Sequence, residues 1–254
     1  MIYKAFAKIN VFLKIVGKRG NYHELLSRFV RVSNLYDELS LEVKQTKEYF
    51  ELVGEFGCPL EKNTIYKALL ALKEAGYESR VDDFCSKYAL HVKKNIPSFA
   101  GLGGGSSDAA SFLLILNDLL ALRLSKDELA TIGAKVGADV PFFIYEYDSA
   151  NVSGIGEIVE CFNEEALHVK TFTPEIKCDT PKVYQAFRAD YKEEKELANK
   201  MAKMKSTELL QTYKDTELND LFTPALSLYP KLQTYQKEGW FFSGSGSSFF
   251  RVEQ

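Results

Sequence analysis

A run of glycines and serines at residues 97–110 carries the clearest chemical signal in the chain. It reads Pro-Ser-Phe-Ala-Gly-Leu-Gly-Gly-Gly-Ser-Ser-Asp-Ala-Ala and lies between an alternating stretch, Tyr88–Lys93, and an apolar run, 109–122. These flanks predict a strand before it and a helix after it. Glycines let a polyphosphate approach the backbone, and the unpaired N–H groups of a helix start attract anions. The run therefore predicts a phosphate-binding loop, and a flexible surface loop is the less favoured alternative.

Two well-known phosphate loops do not match this run. A P-loop would place a lysine between the last glycine and the first serine, and none stands there. A dinucleotide-binding fingerprint that began at Gly101 would need a glycine at position 106, but a serine stands there. Such a fingerprint also opens a βαβ unit, whereas this run lies in the middle of the chain. We therefore interpret the run as another kind of phosphate loop. Ser106 and Ser107 add hydroxyl donors to it, and either could be the N-cap of the helix.

The alternation from residue 2 to residue 16 predicts a strand. Its apolar positions share one face, while Lys8, Asn10 and Lys14 share the other. A lysine and an asparagine on one strand face could edge a substrate cleft. Lys14 lies on the same face, and we expect it to be solvated. Spacing alone therefore favours a solvated Lys8 as much as a Lys8 at the edge of a cleft.

Asp139 is a single carboxylate between a glycine that should end a helix, Gly137, and the apolar run 140–145. These neighbours predict that the carboxylate is partly buried and needs a partner. The alternative is that it caps backbone N–H groups.

Composition indicates an ordinary globular protein. The formal net charge of −3 argues against a nucleic-acid binder. No stretch holds about 20 uninterrupted apolar residues, and the N-terminus lacks a signal-peptide pattern, so we expect a cytoplasmic protein without membrane contact. The four cysteines and three histidines are too scattered for a zinc site or a disulfide framework, and we expect reduced thiols.

The remaining patterns predict a mixture of strands and helices. A helix capped by Asn63 or Thr64 should end at Gly76, and Ser125 with Glu128 has the spacing of a capping box for another helix. Further strands are expected at residues 28–33, 39–43 and 49–53.

The C-terminal part holds one candidate loop. Residues 240–252 predict two strands around a Gly-Ser loop, and the number of small residues favours close approach to a ligand or another loop over a plain hairpin. A Thr-Pro pair at Thr180 predicts a helix start. The charge-rich segment 190–215 predicts a solvated helical face with an apolar stripe.

Motifs along almost the whole chain resemble, in order, those of the GHMP small-molecule kinases. Ala7-Lys8-Ile9-Asn10 resembles the first motif, the glycine-serine run the second, and residues 243–248 the third, with Asp139 between the last two. More narrowly, Gly-Leu-Gly-Gly-Gly-Ser-Ser-Asp-Ala-Ala resembles the branch that phosphorylates 4-diphosphocytidyl-2-C-methyl-D-erythritol.

The resemblance implies an α+β fold with the two domains of the GHMP kinases. An N-terminal nucleotide-binding domain, of the ribosomal protein S5 domain 2-like type, is expected over residues 1–155. A C-terminal ferredoxin-like domain is expected over residues 156–254.

It also implies ATP as the phosphoryl donor, accompanied by Mg²⁺. Asp139 is then the general base and Lys8 its counter-charge. The residues implied to hold the nucleotide are Asn63, Lys94, Pro97, Gly101, Leu102, Gly103, Gly104, Gly105, Ser106 and Ser107. Ser107 is also the one candidate metal ligand. Asn63 has a plain N-cap as its alternative role, Lys94 a solvated lysine, and Asp108 is expected to point away and favour the helix dipole.

The implied acceptor is a small molecule that carries a cytidine diphosphate group. Tyr22 and His23 match the family segment that holds the cytidine, and a tyrosine face can stack on a pyrimidine. Asn21 stands where the family usually has a glycine. The residues implied to bind the acceptor are Asn10, Tyr22, His23, Thr180, Tyr184, Gly244, Ser245 and Gly246. A helix start and a core tyrosine explain Thr180 and Tyr184 equally well.

The implied reaction is phosphorylation of the acceptor's 2-hydroxyl, a step of the non-mevalonate route to isoprenoid precursors, without an obligate protein partner. One rival is a GHMP kinase for homoserine, mevalonate or a sugar, which would not be expected to carry Tyr22 and His23. The other is a nucleotide-binding sensor without catalysis, which the presence of both Lys8 and Asp139 disfavours.

Overall fold

The computed structural model describes residues 1–20, 22–187 and 194–253. They form two compact units that interleave along the chain. The first unit consists of Met1–Ala7, Ser33–Ser98 and Gly104–Glu146, and the second of Lys8–Val32, Phe99–Gly103 and Tyr147–Gln254. The expected domains, 1–155 and 156–254, stay a prediction. The expectation about the turn at Asn21 lies outside the described residues.

Strands and helices are mixed along the chain, which confirms the α+β class. The strands are β1 (Ile2–Arg19), β2 (Tyr22–Val43), β3 (Leu52–Gly54), β4 (Tyr88–Lys93), β5 (Ser149–Gly154), β6 (Ile158–Cys161), β7 (Val169–Phe172), β8 (Phe241–Phe242) and β9 (Phe249–Val252). The α-helices are α1 (Thr64–Leu72), α2 (Glu78–Lys87), α3 (Gly104–Leu119), α4 (Lys126–Val136), α5 (Val140–Tyr145), α6 (Thr180–Phe187), α7 (Lys195–Met201), α8 (Ser206–Thr212), α9 (Asp215–Leu218) and α10 (Phe222–Leu228).

The first unit contains a small part of the large sheet and a group of helices that pack on one another. The end of β2, from Glu38 to Val43, pairs antiparallel with β4, and β3 pairs parallel with β4. Helix α1 packs on α3 and α4, while α5 packs on α3 and α4 as well. Most buried side chains of these helices are apolar and recur at helical spacing, and they include Leu69, Leu72, Phe112, Leu116 and Ile144.

In the second unit, β2 continues as a partner of different strands. Residues Leu25–Val30 pair antiparallel with β5, and β5 pairs with β6. A separate sheet has the order β7-β9-β8. Phe222 packs beside Phe242 and Phe249, with ring centroids 5.0 and 6.5 Å away, so an aromatic core lies between α10 and this hairpin.

Strand β2 differs from the expectation of two strands at 28–33 and 39–43, because it runs unbroken through both. Asp37, in the middle, is fully buried and explains why a polar stretch stays in the strand. Its carboxylate accepts hydrogen bonds from the backbone N–H groups of Asn95 and Ile96, at 2.5 and 2.8 Å. The charge is therefore satisfied by a distant segment rather than by a turn.

Other boundaries shift by a few residues for local reasons. The strand expected at 49–53 is confined to β3, because the carbonyl of Tyr49 accepts from Lys44 outside the ladder. Regular helix α1 ends before Gly76, which lies in a π turn with a φ of 96°. The capping box at Ser125 is confirmed. In the segment 190–215, the described residues form short helices that include α7 and α8, and Met201 and Leu209 of the expected apolar stripe are buried there.

Lys14 is not the solvated lysine that we expected. It is 1% exposed, and its Nζ lies 2.5 Å from Asp220 Oδ1 and 2.7 Å from Glu194 Oε2. Burial would lower the pKa of Lys14, but the two carboxylates overcome this and raise it. The expectation failed because the nearer partner in the sequence, Glu194, is already 180 positions away.

No helix in the described part of the chain combines the length and the apolar character that a membrane crossing requires.

Candidate functional site

The glycine run takes a backbone course that requires glycine at particular positions. Gly101 and Gly103 have φ values of 75° and 72°. A Cβ on Gly101 would lie 2.4 Å from the Ser243 carbonyl oxygen, and one on Gly104 would lie 2.9 Å from Ile96 Cγ2. Helix α3 begins at Gly104, so the turn opens directly into a helix as predicted.

A second loop, residues 243–248, holds the first half of this run. Ser248 N donates to the Ala100 carbonyl at 3.1 Å. Ser243 Oγ lies 3.4 Å from the Gly101 carbonyl oxygen. A Cβ on Gly244 would lie 3.1 Å from Asn10 Oδ1, so this loop also approaches β1. The expectation that the loop closely approaches another loop is confirmed.

Strand β1 brings the amine of Lys8 to the glycine run. Lys8 Nζ donates to Asn10 Oδ1 at 2.7 Å and to the Gly101 carbonyl at 3.1 Å, and it lies 4.5 Å from the centre of the Phe29 ring. Lys8 is 4% exposed, which excludes the solvated alternative. The structure therefore places a buried amine directly beside the glycine run.

Asn10 completes this group of side chains. Its Nδ2 donates to Ser27 Oγ at 2.9 Å, and its backbone N–H donates to Ser243 Oγ at 3.2 Å. Sequence reasoning did not single out Ser27, because a lone serine in a strand carries no pattern, and it included Ser243 only as part of the third motif. The structure places both beside Asn10.

Lys94 belongs to a buried group of three charges in the first unit. Its amine contacts the carboxylate of Asp37 and lies 2.5 Å from Asp108 Oδ2. The solvated alternative for Lys94 is therefore wrong. Burial would lower the pKa of Lys94, but Asp108 and Asp37 outweigh this and raise it.

Asp108 is buried and paired with Lys94, a contact that the expectation for Asp108 did not include. Burial raises the pKa of the Asp108 carboxyl to about 7, with Lys94 opposing the shift and Asp37 adding to it. The expectation missed this group because Lys94 and Asp37 stand on other strands and segments of the chain.

The start of α1 lies next to the start of α3. Asn63 Oδ1 accepts from Ile65 N at 2.8 Å, which confirms the N-cap role of Asn63. Thr64 Oγ1 donates to the Gly105 carbonyl at 2.6 Å. Thr64 was named only as a possible cap, and the structure adds this contact with the glycine run.

Asp139 precedes the short helix α5 and is half-buried, as expected. Its side chain makes no hydrogen bond that caps α5, so the backbone-capping alternative is not supported at that helix.

Two of the residues implied to bind the acceptor meet in the second unit. The His23 ring lies 5.4 Å from the Tyr184 ring and 6.1 Å from the Phe187 ring. His23 is 6% exposed, whereas Tyr22 is 65% exposed and offers a free aromatic surface. Thr180 Oγ1 lies 2.7 Å from Ser245 Oγ, so the helix start and the Gly-Ser loop are also joined.

The oxygen ligands that Mg²⁺ prefers are present near Ser107, although no cluster of three or more His, Cys, Asp or Glu side chains occurs among the described residues. Ser107 is buried at the start of α3. Asp108 Oδ1, on the next residue, is buried and has no hydrogen-bond partner in the described chain. Mg²⁺ that binds with a nucleotide takes most of its ligands from phosphate and water. The residues present therefore fit the ion.

Comparison with known proteins agrees with these features. The GHMP kinases N terminal domain matches residues 63–147. A protein of Sulfurimonas denitrificans with the name 4-diphosphocytidyl-2-C-methyl-D-erythritol kinase is 54% identical over 258 residues, covering 100% of this chain and 97% of that protein. A Helicobacter pylori protein of the same name is 42% identical, covering 99% of this chain and 94% of that protein.

Solved structures give the same result. A crystal structure of 4-(cytidine 5'-diphospho)-2C-methyl-D-erythritol kinase superposes with a TM-score of 0.74 at 30% identity, covering 100% of this chain and 90% of that one. A mevalonate kinase structure has a TM-score of 0.65 at 14% identity, covering 100% of this chain and 91% of that one, and shows the common fold alone. The resemblance seen in the sequence is confirmed: the chain belongs to the 4-diphosphocytidyl-2-C-methyl-D-erythritol kinases, a branch of the GHMP kinase family.

Proposed function

We propose that this kinase transfers the γ-phosphoryl group of ATP to the 2-hydroxyl of 4-diphosphocytidyl-2-C-methyl-D-erythritol, giving ADP and the 2-phosphate. The names and full-length similarity of its relatives support this assignment. The observation that carries the chemistry is the buried Lys8 amine at the Gly101 carbonyl, since it puts a cation next to a loop suited to phosphate.

The proposed role of the glycine run is to hold the triphosphate. N–H groups at the start of α3 and the hydroxyls of Ser106 and Ser107 would donate to phosphate oxygens. The bend is too crowded for side chains at Gly101 and Gly104, so backbone groups there would make the contacts with the ligand. Positioning of this kind supplies most of the catalysis in phosphoryl transfer.

The proposed transfer needs one base and one cation. The acceptor oxygen forms a bond to the γ-phosphorus, the bond from that phosphorus to the β–γ bridging oxygen breaks, and the hydroxyl proton passes to Asp139. Lys8 would stabilise charge on the moving phosphoryl group and favour the ionised form of Asp139.

The proposed acceptor site uses the second unit. Tyr22 would stack on the cytosine, and His23, held beside Tyr184, would hydrogen-bond its edge. Asn10, Thr180, Gly244, Ser245 and Gly246 are proposed to line the rest of this site. The family's rival acceptors, homoserine, mevalonate and sugars, have no base for Tyr22 and His23 to hold.

We propose Mg²⁺ as the accompanying ion, with the Ser107 hydroxyl as its protein ligand. The ion would neutralise phosphate charge when bound. We also propose that the enzyme acts in the cytoplasm, where ATP is available, and that it needs no protein partner for turnover.

The test is phosphoryl transfer from ATP to each alcohol in turn, followed by ³¹P NMR. We expect a new phosphate monoester with the cytidyl substrate and none with homoserine, mevalonate or galactose. Transfer to homoserine but not to the cytidyl substrate would refute the acceptor assignment. Nucleotide binding without any ATP consumption would favour the sensor alternative.

A further inference from the structure

Phe99, inside the glycine run, has two features that disfavour the folded state. Its backbone has a φ of 58°, in the left-handed region that residues with a Cβ rarely adopt. Its side chain is 58% exposed, so most of its apolar surface stays in water. A glycine would avoid the first problem and a polar residue the second.

The other non-glycine residues with a positive φ in the described chain have an ordinary explanation. Ala121 and Arg123 lie in the turn that follows α3, and Glu146 is the C-cap of α5. Left-handed residues are common where helices end. Phe99 lies at no helix end, because the next helix begins at Gly104.

Hydrogen bonds to the next two residues restrict the course of the backbone that follows Phe99. The carbonyl of the buried Ala100 accepts from Ser248 N at 3.1 Å, and the Gly101 carbonyl accepts from Lys8 Nζ at 3.1 Å. Conformational strain of this kind persists where surroundings enforce it, and such positions cluster at ligand sites. No aromatic ring of the described chain stacks on Phe99, so ring stacking within the fold does not offset the strain.

We propose that the Phe99 ring packs against the base of a nucleoside bound at the glycine run, and that this contact accounts for its strained, exposed position. The inference rests on the proposed function, which brings two nucleosides to the protein: the adenosine of ATP and the cytidine of the acceptor. A phenyl face stacks on either base, since both are planar heterocycles.

The experiment replaces Phe99 with glycine and compares it with a matched control. Arg123→Gly removes a side chain from an equally left-handed residue, with a φ of 61°, in an exposed turn. Both variants should have thermal midpoints at or above that of the wild type, because glycine tolerates this backbone. Only Phe99→Gly should weaken the binding of a nucleotide, by about tenfold for one lost base contact.

Calorimetry with a non-hydrolysable ATP analogue and, separately, with the cytidyl substrate identifies the base. Weaker binding of the ATP analogue by Phe99→Gly would assign the ring to adenine. Weaker binding of the cytidyl substrate would assign it to cytosine. Phe99→Tyr should bind both ligands as the wild type does, because it keeps an aromatic face. Unchanged affinities in Phe99→Gly, an equal loss in Arg123→Gly, or a lowered midpoint in Phe99→Gly would overturn the proposal.

Direct binding separates this result from the proposed reaction. If the wild type binds the nucleotides but phosphorylates no alcohol, the proposed function fails. The nucleotide affinities of Phe99→Gly and Arg123→Gly still test the role of the Phe99 ring in that case.

Discussion

Asp139 is the side chain on which the proposed proton transfer depends. Asparagine keeps its shape but cannot accept the proton. We expect Asp139→Asn to lower kcat by about 10²- to 10⁴-fold, the usual contribution of a general base. ATP should still bind, because the residues proposed to hold it belong to the glycine run. Steady-state kinetics and ATP calorimetry measure the two effects, and a near-wild-type kcat would show that Asp139 is not the base.

Two buried lysines on the same face of β1 should respond differently to replacement. Lys8 donates to Asn10 and to the Gly101 carbonyl of the glycine run, whereas Lys14 forms an ion pair with Asp220 away from that run. We expect Lys8→Met to lower kcat by about 10²-fold or more. Lys14→Met should instead lower the free energy of unfolding by about 3 kcal/mol, because it leaves a buried carboxylate without its partner.

Denaturant unfolding and turnover of the two methionine variants provide the comparison. Each variant is the control for the other, since strand, face and substitution are the same. Loss of activity in Lys14→Met at unchanged stability, or unfolding of Lys8→Met, would contradict the roles assigned to them.

At the level of loops and strands, Asn219 connects β1 with the Gly-Ser loop. Its Nδ2 donates to the carbonyls of Phe242 and Gly244, at 3.2 and 2.9 Å, and its residue pairs with Leu13 of β1. The same loop contacts Asn10 and Gly101, the residues that hold Lys8. Asn219 therefore acts as a positioning residue for the amine.

We expect Asn219→Ala to lower kcat/KM by about 10- to 100-fold, since small displacements of reacting groups are costly. Asn151→Ala is the matched control, because Asn151 Nδ2 also donates to a backbone carbonyl, that of Ala202, at 2.9 Å. The control should lose stability and keep its kcat/KM. Equal kinetic losses in the two variants would mean that Asn219 acts through stability alone.

For the molecule as a whole, stability should depend on the ionisation of Asp108. Burial raises the pKa of this carboxyl from 3.8 to about 7. A carboxyl with a raised pKa in the folded chain stabilises the fold while it is protonated. Its contribution is therefore complete below about pH 4 and is lost as the pH rises to about 7.

Between about pH 4 and pH 7, the free energy of unfolding of the wild type should fall relative to that of Asp108→Asn. The expected slope is on the order of 1 kcal/mol per pH unit. Urea unfolding of both proteins at several pH values measures the difference. Parallel curves would show that Asp108 keeps an ordinary pKa.

Local signals predicted much of the fold and of the candidate site. The glycine run, the cap at Asn63, the capping box at Ser125 and strand β1 all depend on neighbouring residues, and each was found as expected. The environment of charged groups was predicted poorly. Lys14, Lys94 and Asp108 are buried because their partners lie elsewhere in the chain, and no local pattern records those partners.

The order of residues was sufficient for the family, for a glycine turn that opens a helix and for the strand that carries Lys8, because each depends on contiguous positions. Folding alone decided that the Gly101 carbonyl meets both Lys8, 93 positions away, and Ser243, 142 positions away. It also decided that Lys94 is shared by Asp37 and Asp108. Contacts over such separations depend on how the buried strands and helices pack, since packing determines which polar groups lose water and must find partners.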